Sequence, residues 1–127
     1  MRKEDGFAII ETLDKGIDGA RIDPLVATMG VSQKKFATIL GVAERTLHRL
    51  RHAPTLERAT AERIILMEQL VAHGLDVFDG NPAAFIRWLH HPLGELNRLP
   101  PLHWLTTVTG IGLVDDVLTR IDYGIYV

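Results

Sequence analysis

Apolar residues recur at three- and four-residue spacings along almost the whole chain, and turn-forming residues interrupt them at short intervals. That spacing belongs to amphipathic helices. No period-2 run bounded by hairpin turns is found, so strands are not expected. A short first helix is expected over residues 6–15, with Phe7, Ile10 and either Leu13 or Ile9 turned inward. Residues 16–23 read as a turn. Pro24 suits the first turn of a second helix with Asp23 as its cap, carrying Leu25, Val26 and Met29 and stopping near Gly30. Ser32 caps a third helix over 33–40 with Phe36, Ile39 and Leu40 inside, and Gly41 breaks it. A fourth starts at Ala43 or Glu44 and runs through Arg51 on Leu47 and Leu50, before Pro54 ends the unit.

Residues 57–78 form the longest expected helix. Ile64, Ile65, Leu66, Met67, Leu70, Val71 and Leu75 cover more than one of its faces, which places it at a bundle centre or an oligomer interface. Asp79-Gly80-Asn81 is a turn whose Asn81 caps a helix over 82–90 opened by Pro82 and buried through Phe85, Trp88 and Leu89. Pro92, Gly94, Pro100 and Pro101 constrain a loop, followed by a short helix through Leu102 and Leu105. Thr109 or Gly110 starts the last helix, with Ile111, Val114, Val117, Leu118 and Ile121 at helical spacing. The expected class is therefore all-α, divided into an N-terminal region 1–54, with a helix-turn-helix at about 24–54, and a C-terminal helical domain 55–127. After the last helix the chain ends on Gly124, Ile125, Tyr126 and Val127, apolar groups that call for a burial site, and a partner protein is one.

Composition adds little until charge is mapped. The 127 residues are 46% hydrophobic with a net charge of −2, ordinary for a globular protein. No apolar run approaches the roughly 20 residues that span a bilayer, and Met1–Ile10 lacks the features of a signal peptide. With no cysteine there is no disulfide and no thiol chemistry. A cytoplasmic protein is the simplest expectation. Charge is uneven: residues 32–52 carry +4 while residues 1–31 carry −2 and residues 53–127 carry −4. A basic segment between acidic flanks suits phosphate; a solvated helix face accounts for it equally.

Geometry favours the first reading. Ala37 is small where a second helix must approach, Gly41 permits a tight turn, Val42 fills the angle, and Leu47 and Leu50 anchor the second helix. Its other face presents Arg45, Thr46, His48, Arg49 and Arg51. In a helix-turn-helix the start of this helix enters the major groove, so Arg45 and Arg49 are placed to donate to guanine edges. Thr46, Lys34 and Lys35 are placed for phosphates, with Gln33, Thr38 and His48 as weaker candidates.

Several residues look chemical without forming a site. His90-His91 point in different directions. His48 and His52 supply two ligands where zinc takes four. Asp115-Asp116 are expected in the first turns of the last helix, where they stabilise its dipole. Trp88 and Trp104 read as core anchors, and Arg63 and Arg87 as partners of acids on neighbouring helices. No cofactor, metal or catalytic residue is expected.

The chain resembles antitoxins of the Xre/MbcA/ParS type, from about residue 24 to the end. The carriers are the ending Glu44–Arg51 of the helix-turn-helix, Arg63, Trp88-Leu89 followed by Pro92, Pro101-Leu102, Leu105-Thr106 before Gly110, and Leu118 to Gly124. The resemblance implies an antitoxin that is not itself an enzyme. It implies as partners a RES-domain toxin, which consumes NAD or transfers groups from it, operator DNA, and a second copy in a homodimer. It places Arg120, Asp122, Tyr123 and Gly124 in the toxin-contacting ending, with Ile125, Tyr126 and Val127 as the tail beyond. A stand-alone helix-turn-helix regulator with a helical dimerisation domain is the alternative.

Overall fold

Side-chain chemistry sets the helix boundaries at most of the expected places. The computed structural model describes residues 3–124, with side-chain surroundings from residue 6 onward. Among them are seven α-helices: α1 Lys3–Lys15, α2 Ile22–Met29, α3 Gln33–Leu40, α4 Glu44–Arg51, α5 Arg58–Val77, α6 Pro82–Leu89 and α7 Val108–Asp122. Short 3-10 turns cover Gly19–Arg21, Gly94–Leu96 and Pro101–Thr106. No strand occurs among the described residues; Leu93 and Leu99 form one isolated bridge across the proline-rich loop. The all-α expectation holds.

The start of α3 is fixed by Ser32, whose side chain accepts from the Lys35 amide, and the start of α6 by Asn81, which accepts from Ala84. Three local expectations are corrected. Asp23 does not cap α2. A 3-10 turn capped by Asp18 leads into that helix, leaving Asp23 inside its first turn. The last helix starts at Val108 rather than Thr109 or Gly110, because Thr107 accepts from the Gly110 amide. On α1, Ile9 and Leu13 face the core while Phe7 and Ile10 are 68% and 53% exposed. Ile9 and Leu13 lie one helical turn apart and line up with buried Ile17 along the seam against α5, a row that Phe7 and Ile10 flank.

α5 is the axis of the molecule and packs against α1, α2, α6 and α7. Its Ile64, Met67 and Leu70 are almost wholly buried. Gly74 leaves room for the Phe85 ring, which occupies the position a Cβ would take. Phe85 in turn packs with Phe78 and Trp88, ring centroids 6.5 and 6.3 Å away. α7 lies along α5 in the same direction: Thr106, just before α7, meets Arg63, and Asp115 meets His73 between about two and three turns further along. Gly110 packs directly on the Trp104 carbonyl, so only a residue without a side chain fits there.

Candidate functional site

The helix-turn-helix is built as its residues suggest. Gly41 takes φ +73° at the end of α3, a left-handed conformation glycine adopts at little cost. The Gly41 and Val42 amides return to the Thr38 and Ala37 carbonyls at 3.1 and 3.0 Å, closing the turn. Ala37 is buried beneath it, and Leu47 anchors α4 in the core with half-buried Leu50 beside it. Arg45, His48 and Arg49 are exposed, and Thr46 is half-buried. Gln33, Lys34 and Lys35 lie exposed in the first turn of α3. His48 and His52 pack ring on ring at 4.8 Å, while His52 Nδ1 donates to the His48 carbonyl at 2.9 Å.

Asp23 ties this unit together. Its Oδ1 accepts from Arg51 Nε at 2.6 Å and its Oδ2 from Arg51 Nη2 at 3.0 Å, a bidentate pair joining α2 to the end of α4. Gln33 Nε2 donates to the same carboxylate at 3.3 Å. The hydrogen bond from Arg51 holds the Asp23 carboxyl below its ordinary value of 3.8, and Asp23 raises the Arg51 guanidinium in return. Of the eight sequence candidates for DNA, Arg51 and Gln33 thus hold the unit's own geometry, while Arg45, His48, Arg49, Lys34 and Lys35 point outward.

Arg63 pairs with no acid among the described residues, contrary to expectation. From α5 it donates to the Leu40 and Ile39 carbonyls at 2.9 and 2.8 Å, which end α3, and to the Thr106 carbonyl at 2.9 Å, which precedes α7. Carbonyls at a helix C-terminus lack intrahelical partners and carry partial negative charge, so a guanidinium fits there. Burial pulls the Arg63 pKa down. One side chain thereby joins the helix-turn-helix to the last helix.

The C-terminal candidates sit at the end of α7. Arg120 is half-buried, with its Nε enclosed and without a hydrogen-bond partner among the described residues. Asp122 is exposed, and Tyr123 is 76% exposed. Gly124 turns the backbone at φ +71° and returns its amide to the Ile121 carbonyl at 3.0 Å. Ile125, Tyr126 and Val127 lie outside the described residues.

The residue patterns did not disclose a groove of about 840 Å³ between α5 and α7, running from Val108 to Tyr123. Leu70 and Ile111 are buried at its floor, with half-buried Leu66 beside them. Asp115 stands about two turns into α7, past the first turns where it is expected to serve the helix dipole, and lines this groove: it accepts from His73 Nδ1 at 2.7 Å, bridging the two helices. His90, the other suggestive histidine, donates from Nε2 to the Met29 carbonyl at 3.0 Å and so serves the fold.

Two family models match the chain in succession. Residues 8–67 match the antitoxin Xre-like helix-turn-helix domain, and residues 73–124 match the antitoxin Xre/MbcA/ParS C-terminal toxin-binding domain. The chain is also similar to an Antitoxin Xre of Yersinia enterocolitica (serotype O:8 / biotype 1B, strain NCTC 13174 / 8081), with 24% identity over 122 residues that cover 95% of this chain and 82% of the relative.

Proposed function

From its membership of the Xre/MbcA/ParS antitoxin family, which is not an enzyme family, we propose that this chain neutralises a RES-domain, NAD-consuming or ADP-ribosylating toxin by covering its active site. In the same reading it represses its own operon. The observation that carries this is the order of parts in one chain. A helix-turn-helix exposing Arg45, His48 and Arg49 precedes a toxin-binding domain whose last helix ends on exposed Asp122 and Tyr123. The stand-alone regulator uses that second domain for dimerisation alone and leaves its match to a toxin-binding domain without a role.

In this reading residues 1–54 meet operator DNA and residues 55–127 meet the toxin and a second copy of the chain. Arg45 and Arg49 read base edges; Lys34, Lys35 and Thr46 hold phosphates, with Gln33, His48 and Arg51 at their margin. On the toxin side Arg120, Asp122, Tyr123 and Gly124 approach the cleft, and the tail Ile125-Tyr126-Val127 enters it. A toxin that binds NAD must hold phosphate, and the arginines suited to phosphate pair equally with a terminal carboxylate. Inhibition is then steric: no bond is made or broken by the antitoxin, no cofactor is needed, and the action is cytoplasmic, where the operon lies.

Co-expression with the neighbouring open reading frame tests the reading. The expected outcome is that the neighbour alone arrests growth, that this chain restores it, and that the two co-purify. Growth arrest that persists although both proteins are present and soluble contradicts it.

A further inference from the structure

We propose that the groove between α5 and α7 is the seat of a basic, amphipathic segment of the toxin, an anchoring site separate from the tail. The proposal deepens the reading above and rests on it, since it names the chemistry of that partner. Five carboxylates line the groove, Glu62 and Asp76 from α5 and Asp115, Asp116 and Asp122 from α7, against a single histidine, His73. Glu62, Asp76, Asp116 and Asp122 carry no ion pair among the described residues, whereas Glu11, Asp14, Asp23 and Glu68 are each met by a lysine or arginine.

The floor between these acids is apolar. Leu66, Leu70 and Ile111 form it, and Gly112 leaves open space where a side chain would stand. Val108 and Tyr123, 53% and 76% exposed, mark its two ends. Fifteen helical steps separate them, about 22 Å at the α-helical rise. An occupant of that length with apolar groups for the floor and cations for the rim is a peptide segment of about four helical turns.

A second copy of this chain does not fit the groove. A two-fold dimer through this face would bring each carboxylate set against the same set, like charge on like. Continuity points to the toxin instead. The groove lies mostly within residues 73–124, matched by the toxin-binding domain, and it ends at Asp122 and Tyr123 where the tail begins. The groove then supplies affinity and orientation, and the tail supplies inhibition.

The test uses the full chain and the protein encoded by the neighbouring open reading frame, with affinity measured by calorimetry at low and high salt. Asp76→Lys with Asp116→Lys is compared with the neutral pair Asp76→Asn with Asp116→Asn, and with Glu11→Lys on α1 as a control. The reversed pair is expected to bind roughly thirtyfold more weakly at low salt, with a smaller difference at high salt. The neutral pair loses an intermediate amount, and the control binds like the unaltered chain. Circular dichroism verifies that each variant is folded; if the reversed pair unfolds, the neutral pair decides. Binding of the folded reversed pair, or in its absence of the neutral pair, within twofold of the unaltered chain overturns the groove and leaves the antitoxin reading standing. So does a change in self-association without a change in toxin affinity. Failure of the unaltered chain to bind removes both.

Discussion

Arg63 gathers three backbone carbonyls from two parts of the chain, and no other described side chain does so. Each hydrogen bond to a charged group contributes about 1.5–3 kcal/mol when its loss leaves a buried partner unmade, less the cost of enclosing the guanidinium. Arg63→Met is therefore expected to lower unfolding stability by about 2–3 kcal/mol, a large part of a total of about 5–15 kcal/mol. Arg63→Lys should recover only part, because an ammonium lacks the planar fork that reaches separate carbonyls. Urea unfolding of the three proteins checks this, and equal midpoints would show that the anchor is idle. The sequence marks Arg63 as a cation within an apolar helix. It does not mark its partners, because backbone carbonyls 23 and 43 residues away carry no side-chain signature.

At the scale of elements, α4 divides its arginines. Arg51 is held by Asp23, while Arg45 and Arg49 face outward. Arg45→Ala with Arg49→Ala is expected to weaken binding to DNA upstream of the gene by roughly tenfold or more, from about 1–3 kcal/mol for each base-reading pair. Toxin binding should not change. A mobility-shift assay on the upstream fragment reads the first, and an unchanged shift would move DNA recognition away from α4. Capping chemistry made α3 and α6 readable in advance, since Ser32 and Asn81 each stand one residue before an apolar periodic run. The facing of α1 was not readable. Phe7, Ile9, Ile10 and Leu13 offer two competing apolar stripes, and only the packing against α5 selects one. The start of α7 was ambiguous for a similar reason, because Thr107 and Thr109 are both competent caps and tertiary contact at Gly110 decides between them.

At the scale of the molecule, α5 is shared by the two parts of the fold. One side of it packs on α1 and α2 beneath the helix-turn-helix, and the other forms a wall of the acidic groove. That groove was hidden in the sequence because its walls come from helices whose facing residues, such as His73 and Asp115, lie 42 positions apart. The basic helix, by contrast, was legible as a local excess of charge within one short segment. The central claim is that the C-terminal end closes the toxin's NAD site while the rest of the domain holds the toxin. The most direct measurement is NAD turnover by the purified toxin titrated with the full chain or with a variant lacking residues 124–127. The account predicts that the full chain abolishes turnover, and that the shortened chain still binds but leaves turnover near that of the free toxin. Equal inhibition by both proteins would contradict it.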